Sequence, residues 1–294
     1  MNLKEYLAAR VQAVDAALER WVPAETVPPQ TIHRAMRYSL FAGGKRIRPV
    51  LCIGAAEAVA SAYSGIEDAA CTLEMIHTYS LIHDDLPALD NDDLRRGRPT
   101  NHVVFGDAMA ILAGDSLLTL AFEVLSKLPH ANDAVKASLI KELATASGTV
   151  GGMIGGQVHD IEGERQTPTA ALLESIHRAK TGALLRASVR MGAIYAGASA
   201  DQLAALSSYG EHTGLAFQIV DDILDVEQSS ETLGKTAGKD QAQQKITFPA
   251  VYGLDQSKRM AAQERQAAHD ALTPFGDSAA PLREIADFIV NRNA

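Results

Sequence analysis

The sequence contains few aromatic residues, few cysteines and fewer basic than acidic side chains. Only 5% of its 294 residues are aromatic, β-branched runs are short, and alanine and leucine dominate, which disfavours sheets and predicts an all-α fold. Cys52 and Cys71 are too few for a disulfide framework, so we expect buried free thiols. A net charge of −9 argues against a nucleic-acid partner, because phosphate backbones are bound by basic surfaces.

Long apolar stretches are also missing. Charged residues interrupt each apolar run before it reaches ~18 residues, so no membrane span is predicted. The first residues lack the apolar segment of a signal peptide, and we expect a cytoplasmic protein. Repeats, linkers and low-complexity tracts are absent, so residues 1–294 are predicted to form a single domain.

Apolar residues recur at helical spacing along most of the chain. Leu3, Leu7, Val11 and Leu18 predict an amphipathic helix over residues 2–21. The sequence Lys180-Thr181-Gly182 is expected to interrupt or kink its helix, and the glycines between 148 and 156 predict close helix contact rather than a loop. Further helices are expected near residues 30–42, 49–62, 66–86, from 107 onward, 134–162, 169–177, up to 196, 201–227, 246–254, 256–272 and 279–291.

Two groups of aspartates lie in apolar helical segments. The first segment ends in Asp84, Asp85, Asp90, Asp92 and Asp93, and the second contains Asp221, Asp222 and Asp225. In the second segment the acids and Gln218 share about 100° of a helical wheel and apolar residues fill the rest, which predicts a buried helix facing a cavity. In the first segment His77, Ser80 and Asp84 share one side, and Pro87 ends the helix so that Asp90 can return beside Asp84.

Carboxylates that lie close together repel one another and require cations nearby. Oxygen ligands without His or Cys favour Mg²⁺ or Mn²⁺, which are typically held by one or two carboxylates together with substrate phosphates. The loop at Lys45, Arg46 and Arg48 is either a solvated basic turn or a phosphate clamp. Cations expected to contact a polyphosphate are Lys45, Arg48, Arg95, Arg96, Lys180, Lys235, Lys239 and Lys245. Together these features predict an enzyme that handles prenyl diphosphates in an apolar helical cavity.

Several motifs carry a family resemblance across most of the chain. They are GGKRIRP at 43–49, EMIHTYSLIHDDLPALD at 74–90, LRRGRPT at 94–100, GGQ at 155–157, KTG at 180–182, FQIVDDILD at 217–225, and GKTAGKD at 234–240 with Lys245. In this order they resemble the short-chain trans-prenyltransferases (polyprenyl synthases), and most of all the bacterial farnesyl diphosphate synthases. The resemblance implies the isoprenoid synthase fold, a bundle of about ten or more helices around a deep central cavity, usually in a homodimer.

The resemblance also implies roles for individual residues. It implies three Mg²⁺ ions, with Mn²⁺ as an alternative. Asp84 and Asp90 would bind metal with Asp85 supporting them, and Asp221 would hold a further ion with Asp222 and Asp225 nearby. The residues implied to contact the allylic diphosphate are Arg95, Lys180, Thr181, Gln218, Lys235 and Lys245, among which Lys180, Thr181 and Gln218 would also stabilise charge during catalysis. Those implied to bind isopentenyl diphosphate are Lys45, Arg48, His77 and Arg96.

The expected reaction joins isopentenyl diphosphate head to tail with dimethylallyl and then geranyl diphosphate. In the family an aromatic residue five positions before the first aspartate closes the cavity at fifteen carbons. Tyr79, beside Ser80, holds that position here, so we expect farnesyl diphosphate, with the C20 geranylgeranyl product as the alternative. An ionisation-type terpene cyclase would carry a different second metal motif, and a non-catalytic subunit of a heteromeric synthase would commonly lack one acid group.

Overall fold

The computed structural model describes residues 2–61, 63–163, 169–227 and 246–292. Helices form nearly all of the regular structure in these ranges, as composition predicts. The helices of the first half are α1 (Leu3–Trp21), α2 (Gln30–Leu40), α3 (Ile47–Val59), α4 (Ile66–Asp84), α5 (Asn101–Phe105), α6 (Asp107–Ser126) and α7 (Asp133–Ser147). Those of the second half are α8 (Met153–Gly163), α9 (Ala170–His177), α10 (Ala183–Tyr195), α11 (Ala200–Glu227), α12 (Phe248–Tyr252), α13 (Leu254–Ala271) and α14 (Ala280–Asn291).

Helix α4 lies at the centre of the bundle. It packs against α1, α2, α3, α6, α7 and α10, and its buried residues lie on all of its sides. A helix surrounded in this way needs apolar residues around its circumference, and its few buried polar groups need partners. Asp68, for example, accepts hydrogen bonds from Arg20 Nη2 at 2.6 Å and from Trp21 Nε1 at 2.9 Å.

Helix α11 is the second long internal element and packs mainly against α10 and α13. Its side chains join two apolar clusters, one with α3, α10, α13 and α14 and the other with α12 and α13. The burial predicted for residues 201–227 is therefore confirmed. Because α4 and α11 are both fixed by packing, the aspartates at their ends are held on rigid elements.

One sequence prediction about local structure needs correction. The helix expected over 134–162 is broken between Ser147 and Met153, where Gly148 ends α7 and the backbone turns tightly. A Cβ atom on Gly155 would lie 1.9 Å from the carbonyl oxygen of Thr149, so only glycine fits there. The expected close contact is present at Gly156, whose Cβ atom would lie 2.1 Å from the backbone nitrogen of Lys180.

A two-stranded hairpin was not predicted. Strand β1 (Leu94–Arg95) pairs antiparallel with β2 (Arg98–Pro99). Arg96 and Gly97 connect the strands with φ values of 53° and 71°, the left-handed conformation that a tight hairpin turn requires. The hairpin points its neighbouring arginines in different directions.

By length and composition alone, helix α6 could cross a membrane, contrary to the sequence prediction. Buried core helices pass the same test, and α6 packs against α2, α4, α5 and α7. One side of α6 is buried, and it carries Ala110, Ala113, Leu117, Ala121 and Val124.

The single domain over 1–294 stays a prediction.

Candidate active site

A cavity of about 420 Å³ opens between the ends of α4 and α11. Acidic and basic side chains surround its mouth, and Tyr79, Met153, Ile154 and Val158 line its apolar part. Among the residues predicted for the site, those that line this cavity are Arg48, His77, Tyr79, Ser80, Asp84, Asp90, Arg95, Lys180, Thr181, Asp221 and Asp225. Side chains separated by more than half of the chain therefore meet in one place.

The first acidic group is shaped by the end of α4. After Pro87 the chain folds back, and the Asp90 N–H donates a hydrogen bond to the Asp84 carbonyl oxygen at 2.8 Å. The Asp92 N–H donates in the same way to the Asp85 carbonyl oxygen at 3.1 Å. The predicted return of Asp90 to Asp84 is confirmed, and Asp92 also lines the cavity.

Asp85 faces away from the cavity and holds Arg95. The Arg95 Nε atom lies 2.8 and 2.9 Å from the two carboxylate oxygens of Asp85. This paired contact is strong because both groups are charged and the donor geometry matches a carboxylate. Asp85 thus positions the arginine of the hairpin, and its support of the metal ligands Asp84 and Asp90 stays a prediction.

Asp84 carries an unfavourable charge. Burial raises its pKa from 3.8 to about 6; Lys180 and Arg95 act against this shift, and Asp90 and Asp85 add to it. A carboxylate whose ionised form is disfavoured gains when a cation binds to it. The site is therefore preorganised for a positive ligand at Asp84.

The second acidic group divides into two parts. Asp221 and Asp225, one helical turn apart, line the cavity. Asp222 turns instead toward α12, where its Oδ2 atom accepts a hydrogen bond from the Phe248 N–H at 2.9 Å. The shared arc on the helical wheel did not separate these neighbours, and the packing of α12 against α11 does.

His177, at the end of α9, completes the group around Asp222. Its Nε2 atom lies 3.4 Å from Asp222 Oδ2, and its Nδ1 atom lies 3.0 Å from Gln218 Oε1. Burial opposes its charge, but Asp222 and Gln218 raise the pKa of His177 above the ordinary value of 6.5. Gln218 and Asp222, predicted to contact substrate and metal, are thus engaged by His177 outside the cavity lining.

A π-helix, Arg178–Gly182, brings Lys180 and Thr181 to the cavity. The wider turn interrupts the helical path at the predicted motif, and such turns are frequent at functional sites. Lys180 Nζ donates to Asp160 Oδ2 of α8 at 2.6 Å. Asp160 was missed in the sequence, although it lies three residues after Gln157 of the GGQ motif and so close to the same helix face.

Arg48 and His77 also line the cavity. Burial lowers the pKa of Arg48, and burial together with Arg48 and Arg96 lowers that of His77 well below 6.5. The Arg48 Nε atom is buried and has no hydrogen-bond partner in the described residues. A buried N–H without a hydrogen-bond partner costs free energy, which an anion accepting from it would recover.

Lys45 and Arg96 lie beside this cavity without lining it. The Arg96 guanidinium packs against Gly44, where a Cβ atom would lie 2.7 Å from its Nη1 atom. Lys45 Nζ lies 5.8 Å from the centre of the Phe288 ring. Burial and Arg292 lower the pKa of Lys45, while Asp221 acts in the opposite direction.

Arg46 is not part of a phosphate clamp or a solvated turn. It is 3% exposed and adopts a left-handed φ of 48°. Its guanidinium donates to Glu74 Oε1 at 2.8 Å, to Asp15 Oδ1 at 3.0 Å and to the Leu40 carbonyl oxygen at 2.7 Å. Arg46 therefore anchors the loop from which its two basic neighbours extend.

Tyr79 and Ser80 lie deeper on α4. Tyr79 is 5% exposed, and burial raises the pKa of its hydroxyl to about 12, with a smaller contribution from Asp84. The Ser80 hydroxyl donates to the His77 carbonyl oxygen at 2.9 Å and so turns back onto its own helix. Lys235 and Lys245 fall outside the described residues, as does Lys239.

Arg292 was also missed by the sequence analysis. It forms an ion pair with Asp221, donates to the Phe217 carbonyl oxygen at 3.0 Å, and stacks on the Phe217 ring at 4.0 Å. No motif indicated this contact, because α14 is far from α11 in the sequence. The C-terminal helix therefore reaches the second acidic group.

The carboxylates that line the cavity suit a hard divalent cation. Asp84 and Asp90 belong to one wall, and Asp221 and Asp225 to the other. In the described part of the chain, no three His, Cys, Asp or Glu side chains are grouped as a ready-made metal cage. Such sparse oxygen ligands leave positions for water and phosphate, which is how Mg²⁺ is usually bound.

Comparison with known sequences and structures identifies the family of the chain. The polyprenyl synthetase family model matches residues 29–275. The chain is 46% identical to a farnesyl diphosphate synthase from Geobacillus stearothermophilus over 295 residues, covering 100% of this chain and 99% of the relative. It is 48% identical over 298 residues to a chloroplastic heterodimeric geranylgeranyl pyrophosphate synthase large subunit 1 from Arabidopsis thaliana, covering 99% and 80%.

A crystal structure of a geranyltransferase from Legionella pneumophila has the same architecture. It matches with a TM-score of 0.88 at 37% identity, covering 99% of this chain and 97% of that one. The all-helical isoprenoid synthase fold is therefore confirmed. The two sequence relatives are named for products of different length.

Proposed function

The chain belongs to the polyprenyl synthetase family, and within this family of prenyltransferases we propose that it is a farnesyl diphosphate synthase. It is a short-chain prenyl diphosphate synthase, and the proposal concerns its substrates and product. The first substrates would be isopentenyl and dimethylallyl diphosphate. Geranyl diphosphate would be the intermediate that is extended again to the C15 product, (2E,6E)-farnesyl diphosphate.

The observation that carries the proposal is the meeting of two carboxylate pairs across one apolar cavity. Asp84 and Asp90 on one side and Asp221 and Asp225 on the other would hold Mg²⁺, or Mn²⁺, with three ions as the family implies. When bound with the allylic diphosphate, the metal supplies Lewis-acid neutralisation of the departing pyrophosphate. The raised pKa of Asp84 supports this assignment, since a cation relieves the cost of its buried charge.

The cations of the cavity divide between two diphosphates. Arg95, fixed by Asp85, and Lys180, fixed by Asp160, would contact the allylic diphosphate, with Thr181 beside them. Arg48 would bind isopentenyl diphosphate through its unpaired guanidinium nitrogen. Lys45, His77 and Arg96 are proposed at the same subsite, and Lys235 and Lys245 at the allylic one.

The bond changes follow from this arrangement. The allylic C–O bond breaks, the isopentenyl double bond attacks the resulting cation to form a new C–C bond, and one proton leaves. The released pyrophosphate is the proposed proton acceptor. The Lys180 ammonium and the Thr181 hydroxyl stabilise the negative charge that develops on the departing diphosphate. The apolar wall of the cavity limits access of water to the reacting groups.

Tyr79 supports the C15 product. It is a large buried side chain that lines the apolar part of the cavity below Asp84. Five residues of helix correspond to roughly 7.5 Å along the axis, so its ring limits how far an extended prenyl chain can enter. Replacing this ring is the direct test of the length assignment.

We also propose that the enzyme forms a homodimer through α5 and α6. Val103, Val104, Ile111 and Leu112 are exposed there, with Leu112 at 52%. Contiguous exposed apolar side chains commonly mark protein interfaces. Light scattering of the native protein and of Leu112→Glu tests this assignment: a dimer that dissociates in the variant is expected, and a monomeric native protein would contradict it.

The decisive experiment incubates the purified protein with Mg²⁺, dimethylallyl diphosphate and isopentenyl diphosphate. The products are dephosphorylated and their chain lengths are measured by chromatography against C10, C15 and C20 standards. A C15 product that disappears with a chelator is expected. A C20 product would overturn the length assignment, and no condensation would overturn the proposed activity.

A cytoplasmic location stays a prediction.

A further inference from the structure

His83 is a cavity-lining side chain that none of the roles above includes. It directly precedes Asp84 on α4, and its side chain is 26% exposed. Its ring meets the ring of Tyr79 edge to face, with centroids 5.7 Å apart and planes at 79°. The two rings lie one helical turn apart and form a continuous aromatic wall.

Helix α6 holds the imidazole in place. The Nε2 atom lies 3.0 Å from the Ile111 carbonyl oxygen, to which its N–H donates. Asp115 Oδ1 lies 3.9 Å from the same nitrogen. The ring is thus fixed at the contact between α4 and α6, two of the most extensively packed helices in the bundle.

Gly114 supplies the space that the ring fills. A Cβ atom there would lie 2.2 Å from His83 Nε2, 2.5 Å from Cδ2 and 3.0 Å from Cε1. Even a methyl group would therefore displace the imidazole, because packed interiors leave no room for such overlaps. The glycine at this position and the orientation of His83 depend on each other.

Tyr79, by contrast, is held by packing. In the described residues its buried hydroxyl has no hydrogen-bond partner. Its orientation depends on the neighbouring side chains, and the His83 ring is the aromatic group against which it packs. Any movement of the imidazole is therefore passed to the ring that limits the cavity.

We propose that His83, seated against Gly114, positions Tyr79 and thereby determines product length. The proposal rests on the proposed prenyl-transfer function and concerns the same cavity. Without the imidazole, Tyr79 can move toward α6 and the cavity deepens. With a methyl group at position 114, the imidazole is pushed toward Tyr79 and the cavity becomes shallower.

The test measures product ratios for His83→Ala, Gly114→Ala and the double variant, relative to the native product. His83→Ala should raise the ratio of the next longer product to the native one by about tenfold, the order expected for loss of an edge-to-face aromatic contact. Gly114→Ala should raise the share of the next shorter product. The double variant should behave like His83→Ala, because the clash no longer exists.

His130→Ala is the matched control. His130 is exposed and also packs on a glycine, Gly65, but it does not line the cavity, so its product ratio should stay native. Should His83→Ala not fold, as thermal unfolding would show, His83→Asn keeps a donor for the Ile111 carbonyl without the ring, and the same criterion applies.

The test compares ratios of products. A lower overall rate, caused by a disturbance of the neighbouring Asp84, therefore does not affect the result. A native ratio in His83→Ala, or a shortened product that persists in the double variant, would overturn the proposal. If the native protein makes no prenyl product at all, the proposed function fails instead. A native C20 product would change only its length assignment.

Discussion

Replacing Asp84 with asparagine should stabilise the metal-free protein and abolish its activity. Asparagine resembles the protonated aspartic acid in shape and carries no charge, so the substitution removes the cost of a buried carboxylate. The pKa of Asp84 is raised from 3.8 to about 6. Two pH units at about 1.4 kcal/mol each correspond to about 3 kcal/mol, and because water enters the cavity we expect about 2 kcal/mol.

The effect should depend on pH in a defined direction. Because the pKa of Asp84 is higher in the folded protein, the native fold has its full stability below the unfolded value of 3.8 and loses part of it as pH rises through about 6. The asparagine variant shows no such loss. The two unfolding free energies should therefore agree well below pH 3.8, diverge between pH 3.8 and about 6, and remain a constant distance apart above that.

Urea unfolding in the presence of a chelator measures this difference. Asp93→Asn serves as the control, since Asp93 is exposed on the same loop and its replacement should leave stability nearly unchanged. Adding Mg²⁺ with pyrophosphate should raise the melting temperature of the native protein more than that of Asp84→Asn. Equal stability of the two proteins at pH 7, or a difference that shrinks as pH rises, would refute the reasoning.

Four further substitutions test other parts of the site. Tyr79→Ala should shift the main product from C15 to C20, and an unchanged product on chromatography would remove Tyr79 from the cavity floor. Glu74→Gln should destabilise the fold by about 3 kcal/mol in urea, because it leaves the buried charge of Arg46 poorly compensated; unchanged stability would contradict the anchoring role. Asp221→Ala should lower kcat by several orders of magnitude at saturating Mg²⁺, whereas Asp222→Ala should chiefly lower stability. Similar kcat values for these two variants would contradict the division between them.

The cost of the buried charge at Asp84 sets its proposed role as a metal ligand against the stability of the fold. A carboxylate that binds metal must stay ionised, yet burial among other acids favours its protonated form. The fold tolerates this because α4 is packed on all sides. Active sites often retain such unfavourable groups, and substitutions that remove them stabilise the protein and abolish its activity.

The sequence by itself determined the helical fold, the two aspartate groups and the return of Asp90 after Pro87. These features depend on local periodicity and on backbone chemistry, which are properties of neighbouring residues. The interruption at Lys180 was likewise visible as a short motif within a helical pattern. The hairpin at Arg95 was not, because strands of two residues are too short to show alternation.

Only the tertiary structure decided which members of each group face the cavity. Asp221 and Asp222 are adjacent in sequence and share a polar arc of the helix. Asp222 nevertheless accepts a hydrogen bond from α12, whereas Asp221 lines the cavity. The sequence does not distinguish Arg46 from its basic neighbours. In the structure its buried hydrogen bond to Glu74 does. The contacts of His83 with Gly114 and of Arg292 with Asp221 join helices that are distant in sequence, so no local pattern predicts them.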